Sequence, residues 1–174
     1  MLTFLQFIIH FLNAKNIPYM LSGSVALSVY TLPRATRDFD FIIHLKLEEA
    51  DAFAANFKEG YYCDTDAVKD AIKTSSIFNI IDHASGFKAD FVLLKDNKYR
   101  QTEFGRRRIV DFLGLPIYIV SAEDLLLSKL IWIQEVQSNL QIEDIKNLCI
   151  VEGLDQEYIY GWIKALNLNT FNLL

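Results

Sequence analysis

Cysteine is nearly absent from this chain. The two present, Cys63 and Cys149, lie far apart with no second ligand pair beside either, which excludes a zinc ribbon and a disulfide scaffold. They are expected as buried thiols in a reducing compartment. Only three prolines and seven glycines occur in 174 residues, too few for a disordered, collagen-like or linker-rich multidomain chain. A positive excess is missing as well: 17 Lys and Arg stand against 22 Asp and Glu, for a formal charge of -5. That balance argues against an extended nucleic-acid footprint and leaves room only for a local basic patch. No apolar run approaches the ~20 residues of a membrane span. The run from Met1 to Leu12 has neither the cationic lead nor the cleavage pattern of a secretory signal, and Leu125 to Ile133 is interrupted by Ser128 and Lys129. A soluble, cytoplasmic protein is the expectation, without a membrane partner.

What is there is a chain that is 52% hydrophobic, patterned in two periods. Helical spacing predicts helices over 2–15, 25–30, 48–58, 67–73, 122–136, 142–150 and 156–166, the first ended by Asn16-Ile17-Pro18. Short apolar runs or strict alternation predict strands over 19–21, 38–44, 61–63, 77–81, 87–94, 109–112 and 117–120. The basic stretch 95–108 reads as loose chain. Ser121 with Asp124 three positions on resembles a capping box with the shorter acid. The layout is an α+β domain: a mixed β-sheet flanked by helices over residues 1–120, and a C-terminal helical tail over 121–174 packed on it as one unit.

Two features carry chemistry. Tyr19-Met20-Leu21, the turn Ser22-Gly23-Ser24 with its capping hydroxyl, and the helix after it form a strand, a small-residue turn and a helix N-terminus, an arrangement suited to anions. On the strand from Asp38 to His44, Phe39, Phe41 and Ile43 take one face, while Asp38 and Asp40 leave the other side by side. Two like charges there repel, and a divalent cation such as magnesium or manganese, which prefers hard oxygen ligands, would neutralise them. Asp90, sharing a face with Val92 and Leu94 on a later alternating strand, is a candidate third ligand. The three histidines, His10, His44 and His83, are not spaced as ligands.

Gly23-Ser24, then Arg34-x-Thr36-x-Asp38-x-Asp40, then a lone Asp90 resembles the signature of the nucleotidyltransferase superfamily. With Ser121 to Leu130 opening a helical tail, it is similar to the small bacterial subfamily related to the nucleotidyltransferase toxins of abortive-infection systems. The resemblance implies that Asp38 and Asp40 bind two metal ions and that Asp90 binds the catalytic one and helps activate the attacking hydroxyl. It implies that Gly23, Ser24, Thr36 and Lys129 form the nucleotide site. The activity implied is transfer of a nucleoside monophosphate from an NTP to a hydroxyl acceptor (RNA, protein or small molecule) with release of pyrophosphate, dependent on Mg2+ or Mn2+. In the run Ser138 to Ile145, Leu140 stands where relatives carry arginine, which keeps a second reading open: a catalytically silent nucleotide-binding or toxin-antitoxin-type interaction module with a cognate protein partner. Arg106, Arg107 and Arg108, with Lys95, Lys98 and Arg100 nearby, read either as a solvated face or as a guide for an RNA acceptor.

Overall fold

The computed structural model describes residues 2–174, so Met1, the start of the first apolar run, lies outside the described residues. In chain order the elements are α1 (Leu2–Ala14), β1 (Tyr19–Ser22), α2 (Gly23–Tyr30), β2 (Asp38–Ile43), a 3-10 turn (Leu47–Glu49) leading into α3 (Ala50–Ala55), β3 (Tyr61–Tyr62), α4 (Thr65–Thr74), β4 (Ile77–Asp82), β5 (Lys88–Leu93), α5 (Lys98–Gly105), β6 (Arg108–Phe112), β7 (Leu115–Ile119), α6 (Ala122–Ile133), α7 (Asn139–Cys149) and α8 (Gln156–Ala165). The strands form a single seven-stranded mixed sheet in the order β3-β4-β5-β2-β1-β7-β6. Pairing is parallel for β2 with β5 and β1 with β7, and antiparallel elsewhere.

Strict alternation in β2 and β5 gives each strand one buried face and one part-exposed face, as a period of two requires. The buried face is an aromatic stack across three strands: the Phe91 ring lies 5.1 Å from Phe41 and 5.1 Å from Phe78, nearly parallel to both. Phe53 of α3 meets Phe78 and Phe91 edge-on, and Phe4 of α1 packs on Phe39, so α1 and α3 cover this side. The opposite face carries Asp38, Asp40 and Ile42 of β2 beside Lys88, Asp90 and Val92 of β5 in register. Central β1 does not alternate; Tyr19, Met20 and Leu21 are all buried, because both of its faces are covered.

In α6, Ala122 to Leu127 are all buried, and the helix packs against α2, α7 and α8. Ser121 caps it, accepting from the Asp124 amide at 3.1 Å and donating to the Asp124 carboxylate at 2.7 Å. The acid of the expected capping box therefore turns to the cap hydroxyl, while its other oxygen accepts from Tyr158 of α8 at 2.6 Å.

Two expectations need correction. The stretch read as loose chain contains α5, started by Asn97, whose side chain accepts from the Arg100 amide. It escapes a periodicity test because its buried residues are only Tyr99, Phe104 and the polar Glu103. The two cysteines are free and half-buried rather than buried; burial still pushes the Cys63 thiol up to about 11. Because Phe91 is fully enclosed between two rings, Phe91→Ala is expected to cost about 3 to 5 kcal/mol, read as a lower urea midpoint with unchanged slope.

Candidate active site

At the end of β1 the chain turns directly into α2, and the register fixes what faces that turn. Ser22 pairs with Asp40, Asp40 with Asp90, and Asp90 with Asn79, so one row of side chains crosses four strands. Asp38 lies one step away, paired with Lys88. All three aspartates thus share a face, as the alternation of their strands implies.

Gly23 has φ +62, and a β-carbon placed on it would sit 1.8 Å from Asp40 Oδ2. Only glycine fits, for two reasons at once: the left-handed backbone and a carboxylate pressed against the Cα. Ser22, the residue ahead of α2, makes no side-chain capping bond, contrary to the capping hydroxyl expected there. The Ser24 hydroxyl instead accepts from the guanidinium of Arg34. Thr36 braces the start of β2, its hydroxyl accepting from the Asp38 amide at 3.3 Å.

Asp40 is held in a setting that disfavours its charge. Burial, then the neighbouring carboxylates Asp90 and Asp38, push its carboxyl above the usual range, against a weaker pull from Lys129. Lys88 answers part of this negative field: its ammonium is 2.7 Å from Asp90 Oδ2 and 3.8 Å from Asp38 Oδ1. The hydrogen bond to Asp90 raises the Lys88 pKa in turn. No group of three or more His, Cys, Asp or Glu among the described residues is gathered around one point as a metal centre.

Across from this face, Lys129 of α6 is almost entirely buried, with its ammonium 2.8 Å from Asp144 Oδ2 and 2.9 Å from Gln141 Oε1. Arg34 grips the same Asp144 with two nitrogens, each at 3.1 Å. Burial lowers the Lys129 pKa, opposed by Asp144. Burial works to raise Asp144, but the bonds from Arg34 and Lys129 outweigh it and hold its carboxyl below the usual range.

Between the two sides lies a cleft of about 410 Å³. Gly23, Ser24, Asp40, Lys129 and Gln141 line it, as do the apolar Ile42, Val92, Leu94, Leu125 and Trp132. Gly23, Ser24, Asp40 and Lys129 are thus brought together, while Asp38 and Asp90 adjoin Asp40 on the sheet.

Arg34 stands in the motif that ends at Asp40, and Gln141 and Asp144 in the run Ser138 to Ile145, but the sequence reading gave none of the three an individual role. The available signal is a charged residue on the apolar stripe of a helix: Asp144 sits beside Ile145 and one turn before Leu148, both fully buried, just as Lys129 interrupts Leu126, Leu130 and Ile133. Lys88 could have been found by alternation, two residues before Asp90 on the same face.

The basic run is not a free face. Arg106 donates to Asp124 at 3.0 Å, reaches Glu123 at 3.4 Å and lies 3.9 Å over the Tyr158 ring. Arg107 donates to the Phe104 carbonyl and covers the Phe104 ring. Arg108 remains more exposed and leans toward Glu123 at 3.6 Å. Of the three arginines read either as a solvated face or as a guide for RNA, Arg106 and Arg107 are instead engaged with α5, α6 and α8.

No protein-family profile matches this chain, and no curated protein matches it in sequence. Its structure is similar to that of the antibiotic-resistance factor ANT(2'')-Ia, with a TM-score of 0.64 at 15% identity, over 95% of this chain and 90% of that one. The crystal structure of the same factor with adenylyl-2''-tobramycin gives 0.63 over 95% of each chain. The lincosamide antibiotic adenylyltransferase LnuA, solved with lincomycin bound, gives 0.59 at 16% identity over 84% of this chain and 94% of that one. The chain therefore has the nucleotidyltransferase fold, a mixed sheet flanked by helices.

Two outcomes follow from the geometry. Gly23→Ala should destabilise the protein, and Asp40→Ala in the same chain should return much of the loss by removing the atoms the new methyl meets; what is left, about 1 kcal/mol, is the cost of a side chain at positive φ. A double-mutant cycle by urea unfolding measures that coupling, and additive losses would mean the contact is not what excludes a side chain. Asp144→Asn strands two cations and should cost about 3 kcal/mol near neutral pH. Because the folded carboxyl is depressed, that advantage of the wild type is present above the ordinary value near ~3.9 and is lost as pH falls through the folded one. Stability curves that converge in acid would bear this out.

Proposed function

We propose that this chain is a nucleotidyltransferase that moves a nucleoside monophosphate from an NTP to a hydroxyl acceptor. The observation that carries the reading is the seating of Asp40: against the backbone of the turn that starts α2, in register with Asp90, and across the cleft from buried Lys129. A helix start, a carboxylate with two more beside it on the sheet, and a cation across the cavity are the parts phosphoryl transfer needs.

The first-turn amides of α2 and the Ser24 hydroxyl bind phosphate oxygens, and Lys129 offsets the triphosphate's charge from the opposite wall. Arg34 and Asp144 position Ser24 and Lys129. The acceptor oxygen attacks the α-phosphorus, the bond from that phosphorus to the α,β-bridging oxygen breaks, pyrophosphate leaves, and the hydroxyl proton passes to the Asp90 carboxylate. The chemistry of the donor set suits a hard divalent cation, three carboxylates on one face that would have to draw together around it; burial and then the other two carboxylates disfavour the charge of Asp40. Asp38, Asp40 and Asp90 would hold Mg2+ or Mn2+, which when bound lowers the acceptor's pKa and stabilises the leaving phosphate.

A small hydroxyl-bearing acceptor suits the cleft better than RNA, since Arg106 and Arg107 are engaged internally. Of the charged groups that line the cavity, Arg100 and Lys129 are already paired with the buried Glu103 and Asp144, which leaves Lys95 and Asp40 as the charges it offers an acceptor. The Arg34-x-Thr36-x-Asp38-x-Asp40 spacing supports kinship with the abortive-infection toxins, and with it a cytoplasmic site of action and a cognate protein partner.

The silent-module reading has one observation in its favour: Lys88 already neutralises Asp90. The two readings separate on incubation with each α-labelled NTP, magnesium and candidate acceptors. Label should transfer with the wild type, and Asp38→Ala with Asp40→Ala should abolish both transfer and magnesium-dependent NTP binding while keeping the fold, because repulsion is removed together with ligands. Unchanged Mg-NTP binding by the double variant would defeat the assignment.

A further inference from the structure

We propose that Lys88 is a built-in counter-cation that occupies the carboxylate row and must be displaced before a divalent metal ion binds, so that it sets the metal affinity of the site. This rests on the reading of Asp38, Asp40 and Asp90 as metal ligands. The placement follows from the strand: Lys88 and Asp90 alternate onto the same face of β5, and Lys88 is the register partner of Asp38. Its ammonium reaches two of the carboxylates, 2.7 Å from Asp90 Oδ2 and 3.8 Å from Asp38 Oδ1.

An ammonium and a divalent cation cannot share those oxygens. Metal ligation at ~2.1 Å from the oxygen that Lys88 now holds would bring two positive charges into contact range. Displacement is open to it, because the Lys88 side chain is 36% exposed and a long flexible stem can carry its head into water. The other cation near the row has no such freedom. Lys129 is 7% exposed and fixed by Asp144 and Gln141. The paired state therefore competes with metal, and a site filled ~90% of the time by its own lysine binds the ion about tenfold more weakly than the same site with the lysine away.

The test is Mn2+ binding to the full chain, followed by the electron paramagnetic resonance of the free ion, for the wild type, Lys88→Met and Lys88→Arg. Lys88→Met should bind Mn2+ about tenfold more tightly, and Lys88→Arg, which keeps the charge, should stay near the wild type. The metal-free Lys88→Met protein should melt lower than the wild type and gain more from added Mg2+. If that variant is too unstable to handle, the wild type itself reports: the Lys88 Cε resonance, assigned by its loss in Lys88→Arg, should move from its paired position as Mg2+ is added.

Wild-type Mn2+ binding that Lys88→Met leaves equal or weaker overturns the inference and leaves the metal site standing. A Lys88→Arg protein that gains affinity like Lys88→Met overturns it too, since charge would not be the cause. A Lys88 resonance unmoved by bound Mg2+ does the same. Absence of Mn2+ binding by every variant overturns both this inference and the metal-site reading beneath it.

Discussion

The contact on which the cleft depends is the one between the backbone of Gly23 and the carboxylate of Asp40. With no β-carbon in the way, β1 can end, turn through a positive φ and start α2 within van der Waals reach of its neighbouring strand. That closeness puts the first turn of a helix, with its unpaired amides, beside the row Ser22, Asp40, Asp90. A larger residue at position 23 would drive the turn away from β2, and the helix start and Asp40 would no longer line one cavity. Local geometry of one residue thus sets the relation between two elements, and through them the electrostatics of the site.

The second constraint is Asp144, which joins the cleft to the helical tail. Its carboxylate, almost wholly buried, takes Arg34 from the loop before β2 and Lys129 from α6. Without Lys129 the buried acid would lack a close partner on α6, and without the acid the buried ammonium would be too costly to keep charged. The cation that faces Asp40 is therefore there because α7 supplies its counter-ion. Asp124 repeats the device on the far side of α6, with Arg106, Ser121 and Tyr158 around it, so the helix that walls the cleft is pinned from both sides by enclosed polar networks.

Most of the sheet was legible in sequence because its strands either alternate or are wholly apolar. The faces of β2 and β5 follow from a period of two, which put Asp38, Asp40 and Asp90 on one side, and both patterns survive as local rules whatever packs on the strand. Helix α5 was not legible, since a helix that buries Tyr99, Phe104 and a glutamate leaves almost no apolar stripe. Nor was the fate of Arg106 and Arg107, because a run of arginines looks the same in sequence whether its partners are phosphates in solution or Asp124, Glu123 and a tyrosine ring brought from other elements. Asp144 lay between these cases. Its helical position among buried apolar residues marked it as enclosed, but its partners come from 15 and 110 residues away and only the fold identifies them.

The fold is held in common with antibiotic nucleotidyltransferases at 15–16% identity, which is intelligible if the core asks chiefly for volume and pattern. The stack of Phe41, Phe91 and Phe78 meets that demand here, and other apolar sets can meet it elsewhere. What such a core cannot transmit is the choice of acceptor, because that is made by the few side chains on the far wall of the cleft. In this chain α6, α5 and the loop after β5 supply Trp132, Leu125, Arg100, Leu94 and Lys95, a mainly apolar wall in which Arg100 is already paired with the buried Glu103 at 2.7 Å. Shared architecture therefore sets the frame of the cleft, and the side chains brought to this wall set what the cleft admits.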